Sequence, residues 1–168
     1  MISVIDEFYI FAIFYGITMY VAGMHLFELS EKDVDCRYTN PKEWNVVYIL
    51  SLGLFLIHVL NLWPPHPDWI VASLIWILIT YLVAKIPQIK IMGGSDARVM
   101  ICAGLMFPHW LTIPVVFCLG LIAAHIQKKR GTDEMRDDWK RRGVPMVPFL
   151  TMGWLFSAFV FQMMFLLF

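Results

Sequence analysis

The chain has 168 residues, 60% of them hydrophobic and only 15% charged, with a formal net charge of zero. A soluble domain of this length has no core large enough to hide so much apolar surface, so lipid is the expected solvent for much of it. The balanced charge gives no sign of a nucleic acid or a bulk acidic partner, and Cys36, Cys102 and Cys118 lack the spacing of a disulfide framework or a zinc site.

A membrane span takes about 20 largely apolar residues. Apolar runs and their breakers predict helix 1 over about 8–29, continuing in wetter form to Asp33 or Asp35. Its flank carries Asp6 and Glu7 and no basic residue, unlike a cleaved secretory signal, so a retained helix is expected. Helix 2 is predicted over about 46–62, stopping at Trp63-Pro64-Pro65-His66-Pro67, where prolines cannot sustain helical hydrogen bonding. Helix 3 follows over about 69–84. A polar connection containing Gly93-Gly94-Ser95-Asp96 leads into a short helix 4 ending at Phe107, and Pro108-His109-Trp110 separates it from helix 5, about 111–126. The mixed-charge stretch 127–143 reads as a solvated loop or a short surface helix, and helix 6 fills 144–168.

All 13 basic residues fall in three places: Lys32, Arg37 and Lys42; Lys85, Lys90 and Arg98; and the stretch from Lys128 to Arg142. The positive-inside rule puts these three loops in the cytoplasm. The expected fold is thus all-α, a single polytopic membrane domain over 1–168 with six transmembrane helices and both termini outside. Merging helices 4 and 5 would put the third basic cluster on the wrong side.

That topology sets Asp33 and Asp35, at the end of helix 1, at the same depth as Asp96, at the start of helix 4. An ionisable side chain near a membrane core is costly and marks a functional candidate. Spacing alone fits helix caps and a glycine turn equally well. His25 and His58 fit interhelical hydrogen bonding better than ligation, while His66 and His109 belong to the outer side.

Gly93-Gly94-Ser95-Asp96-Ala97-Arg98 resembles the GxGD-x-Lys signature of type IV prepilin peptidases, in the looser Gly-x-x-Asp form of archaeal preflagellin peptidases. Ser30, Asp33, Arg37 and Trp44 are similar to the Ser-x-x-Asp-x-x-x-Arg-(x6)-Trp pattern of the archaeal branch, and Gly143 to Thr151 resembles the proline-containing opening of that family's last helix. Asn40-Pro41, Ser95 and Arg98 depart from it, standing for Pro-Asn, a small or apolar residue and Lys. Asp35 is an extra acid, an alternative to Asp33 if the register slips.

The resemblance implies an aspartyl endopeptidase at the cytoplasmic face of a prokaryotic, best an archaeal, cell membrane. It would cleave the basic leader from prepilin-like or archaellin-like precursors with Asp33, Asp96 and a water, without cofactor or metal, and with Gly93, Gly94, Ser95, Arg37 and Arg98 in support. The bacterial cysteine-bearing insert is missing, so no methyltransferase activity is expected. Two carboxylates sharing a site cannot both ionise easily, so one acts as acid and the other as base. Helix dipoles favour Asp96 as the ionised base, although Arg37 one turn beyond Asp33 argues the other way. The glycines are expected to give the substrate backbone close approach, with positive φ at one of them. Glu28, Glu31, Asp35 and Glu43 are expected to attract the basic leader. The alternatives are a presenilin-type intramembrane protease, whose Tyr-Asp pair is not found here, and a cation transporter or channel component, for which acids within helices 2, 3, 5 and 6 would be needed.

Overall fold

A computed structural model describes residues 4–36, 39–60, 67–86 and 92–167. Its elements are α1 (Val4–Cys36), a 3-10 turn (Pro41–Trp44), α2 (Asn45–Val59), α3 (Pro67–Lys85), α4 (Gly94–Met106), α5 (Thr112–Arg130), α6 (Asp133–Arg142) and α7 (Met146–Leu167). The all-α expectation holds, with no strand among the described residues.

The boundaries differ from the sequence expectation for local reasons. α1 starts at Val4, earlier than expected, and its polar last turns continue the helix to Cys36 as expected; its 33 residues reach about 50 Å at the helical rise, longer than the ~30 Å apolar thickness of a bilayer. Pro67 starts α3 two residues early, since proline fits the first turn, where its missing N–H costs nothing. Gly94 starts α4 well before the apolar run. α5 runs on to Arg130 because Lys128, Lys129 and Arg130 lie at its negative end. The 127–143 stretch is largely helix: the Thr132 hydroxyl accepts from Met135 N at 3.3 Å. Asp133 and Glu134 open α6, and Lys140, Arg141 and Arg142 close it. The chain then bends by 100° into α7 through Gly143, whose φ of +86° is a left-handed conformation that favours glycine.

α4 is the central element and packs against α2, α3, α5 and α7, while α1 lies against α2 and α7. Seven of its residues are buried, from Ala97 to Met106. Small residues let the helices close: a Cβ on Gly153 would sit 2.7 Å from the Val116 carbonyl oxygen, and one on Gly104 would lie 2.8 Å from Ile113. Such close contacts replace the hydrophobic drive that lipid does not supply. Buried polar groups answer to the backbone. Ser73 donates to the Gly104 carbonyl at 2.7 Å and Tyr15 to the Met106 carbonyl at 3.3 Å, and His58 Nε2 lies 3.4 Å from the same Met106 oxygen.

α3 turns Ser73 and Thr80 inward and leaves Ile75, Leu78, Ile79 and Leu82 outside, the reverse of a soluble helix. Among the described residues, Pro41–Val59 and Pro67–Lys85 are long and apolar enough to cross a membrane, and α6 with α7 adds a third span if the bent pair is counted as one. The prolines at 64 and 65, and His66, lie outside the described residues.

Candidate active site

The site forms where the end of α1, the start of α4 and the turn into α7 converge. Asp33, in the last turn of α1, is only 7% exposed. Its Oδ2 accepts from Val147 N at 3.2 Å, so it caps α7, whose first-turn N–H groups have no partner within the helix. One turn earlier, Ser30 donates to the Leu26 carbonyl at 2.7 Å and sits 3.2 Å from the Thr151 hydroxyl, fixing α1 against α7.

Asp96 lies in the first turn of α4, before the apolar part of that helix. Its Oδ2 accepts from Gly93 N at 2.8 Å, folding the carboxylate back over the glycine. A Cβ on Gly93 would be 3.1 Å from that oxygen, whereas one on Gly94 would meet nothing within 4 Å. The expected positive φ is absent at Gly93, where φ is −77°; Gly143 is the described glycine with positive φ. Gly93 thus keeps bulk away from the carboxylate, and Gly94 leaves open space beside it.

Asp33 and Asp96 line one cavity of about 400 Å³ together with Thr39, Arg98, Arg142 and Met146. Burial is the main influence on Asp96 and pushes its carboxyl up to about 6; the Gly93 N–H pulls it down, and the nearby Asp33 charge raises it again. Burial thus acts on Asp96 in the direction opposite to the helix N-terminus, which favours its ionised form.

The other expected site residues separate. Asp35 is exposed and lines a different hollow, with Phe27, Glu31 and Pro148. Its backbone carbonyl, not its carboxylate, accepts from Arg142 at 3.4 Å. Arg37 lies outside the described residues. The Arg98 guanidinium stands over the Trp44 ring, 5.9 Å from its centroid. Ser95 Oγ is 2.6 Å from Thr39 Oγ1, which also accepts from Trp44 Nε1 at 3.0 Å. Glu43 pairs with Lys32 at 2.8 Å, and His25 pairs with Glu28 on its own helix, not across helices. His109 packs edge-on to Trp69.

Three participants escaped the sequence reading: Thr39, Arg142 and the Val147 N–H. Thr39 stands in no motif, Arg142 is one of seven basic residues in a run, and a backbone donor has no residue-type signal at all. The resemblance at Gly143 to Thr151 was the nearest pointer to the last two.

A family model described as the type IV leader peptidase family matches residues 20–127, a span that includes both Asp33 and Asp96. The chain belongs to that family. No curated protein and no solved structure matches it. Family membership and the apolar helices together make this leader peptidase relative a membrane protein and a peptidase. The match stops short of α6 and α7, yet α7 supplies the N–H that holds Asp33.

Proposed function

We propose that the chain is an aspartyl endopeptidase that removes the basic leader from prepilin-like or preflagellin-like precursors at the cytoplasmic face of a prokaryotic, archaeal, cell membrane. Asp33 and Asp96 are its catalytic pair and hold the attacking water between them. The observation that carries this reading is their shared cavity at the rim of the bundle. Asp35, by contrast, opens into a separate hollow.

One carboxylate must take a proton from the water as it attacks the scissile carbonyl, and the other must give a proton to the leaving amine. The upward push on Asp96 supports Asp96 as the group that holds the proton at rest and Asp33, bonded to Val147 N–H, as the base. The pair titrates jointly, so the assignment describes where the shared proton spends most of its time. Arg98 and Arg142 stand at the cavity wall, Arg142 already paired with Asp138.

In this reading residues 1–168 form one membrane-embedded domain of six spans with both termini outside, and α6 lies along the cytoplasmic surface. Precursors of the pilin type carry their cleavage site where a basic leader meets an apolar helix, at the depth of the cavity. Reconstitution of the full chain with a panel of leader peptides tests the proposal. Asp33→Asn and Asp96→Asn should abolish cleavage and Asp35→Asn should keep it. Cleavage by either of the first two would remove the enzyme.

A further inference from the structure

We propose that the Thr39–Ser95 hydroxyl pair is a positioning clasp that sets Asp96 against Asp33, an inference that rests on the aspartyl reading above. Thr39 lies between the end of α1 and the 3-10 turn and is 1% exposed. Ser95 immediately precedes Asp96. Their oxygens are 2.6 Å apart, a distance typical of a good hydroxyl hydrogen bond.

Trp44 fixes one end of the network. Its indole nitrogen can only donate, so Thr39 Oγ1 accepts from it at 3.0 Å and has one lone pair and one proton left for Ser95. Trp44 is completely buried and carries the Arg98 guanidinium over its face. Asp96 is therefore bracketed: Ser95 on one side and Arg98 on the other are both tied to the segment 39–44. In the chain that segment follows α1, the helix that carries Asp33 and ends at Cys36. The clasp joins the two carboxylate-bearing elements by a route that involves neither carboxylate.

A hydroxyl at position 95 departs from the small or apolar residue of the family pattern described above. A positioning role predicts a loss in the chemical step, because small displacements of a catalytic group cost rate more than binding. A packing role predicts only lower stability.

The test uses the full chain in liposomes with a leader peptide that the wild type cleaves. Ser95→Ala and Thr39→Val should each lower kcat by about tenfold with KM unchanged. The double variant should be no worse than the poorer single one, since both remove the same bond, and Ser95→Thr should restore kcat. Thr39→Cys with Ser95→Cys, in a Cys36→Ser, Cys118→Ser background, supplies an independent arm: kcat should be low with the thiols reduced and rise when diamide oxidises them to a disulfide. Additive losses, a change in KM alone, unchanged kinetics, or a disulfide form less active than the reduced one would each overturn the clasp. Cleavage by Asp33→Asn or Asp96→Asn, measured alongside, would instead overturn the aspartyl reading, so the two failures are distinguishable.

Discussion

Asp33 and Asp35 stand two residues apart on one helix and meet opposite environments. Asp33 faces α7 and the cavity, is nearly buried, and accepts a hydrogen bond from the start of another helix. Asp35 faces outward, with its carboxylate in an open hollow beside Glu31. Two residues turn a helix by about 200°, so the phase of α1 alone decides which acid can share a site with Asp96. Ser30 and Thr151 set that phase, which gives a physical reason for a serine three residues before the aspartate.

The largest effect that can break this comparison is the loss of ionisable groups. Asp33→Asn keeps an oxygen for the Val147 N–H while removing the charge, and Asp96→Asn does the same toward Gly93. Each should lower kcat/KM by about 10³-fold or more, the scale of a general acid or base. Asp35→Asn should stay within about twofold, as expected of an exposed group. A large loss at Asp35 with activity kept at Asp33 would reverse the assignment of the two faces.

Next in size is steric intrusion beside Asp96. Gly93→Val would place a branched side chain where a single Cβ already comes within 3.1 Å of Asp96 Oδ2. It should cost on the order of 10²-fold in kcat, consistent with a displaced catalytic group. Gly94→Val has free space for its Cβ, so its penalty should fall mainly on KM, because the valine occupies room proposed for the substrate backbone. Equal effects on kcat and KM at both positions would reduce the pair to a turn.

Much of the scaffold is legible in the sequence. The apolar runs, their proline breaks and the placement of basic residues locate α1 to α5 and α7 within a few residues, because lipid demands long uniform segments. The rim was less legible. α6 is polar on average, and its helicity depends on the Thr132 cap, on ion pairs such as Lys140–Asp137 and Arg142–Asp138, and on Trp139 packed against Phe149. Of these, the Trp139–Phe149 contact exists only once α7 is in place. Within the candidate site, Asp33, Asp96 and the two glycines stood out through the family resemblance of their motifs, since spacing alone fitted caps and a turn equally well. Thr39 and the Val147 N–H did not, since a hydroxyl in a loop and a backbone donor become significant only through what the fold sets beside them.

A smaller effect concerns stability and pH. The folded chain holds the Asp96 proton up to about pH 6, whereas an unfolded aspartate releases it near its ordinary value of about 4. Between these limits the folded state holds the Asp96 proton and the unfolded one does not, so the Asp96 contribution to stability falls as pH rises and levels off above about 6. Asp96→Asn has no such proton to lose. Its melting temperature in detergent should exceed that of the wild type by a few degrees at pH 8, with the gap closing below about pH 4. A gap that persists undiminished at pH 3.5 would remove burial of the charge as its cause.

The smallest expected effect lies on the other face of α1. Glu31 and Asp35 border a hollow that also contains Phe27 and Pro148, next to the rim where a basic leader would enter. Glu43 is less available to such a leader because Lys32 already neutralises it. Exposed charge pairs are worth at most about 1 kcal/mol each and are screened by salt within about 10 Å. Reversing both acids, as Glu31→Lys with Asp35→Lys, should therefore raise KM only about threefold for a lysine-rich leader at low salt and leave kcat alone. The change should vanish near 1 M salt, and it should be absent for a leader whose lysines are replaced by glutamine. Because Asp33 faces away from this hollow, a fall in kcat would mean that the two faces are coupled, whereas unchanged KM at low salt would leave the outer acids with no part in recognising the leader.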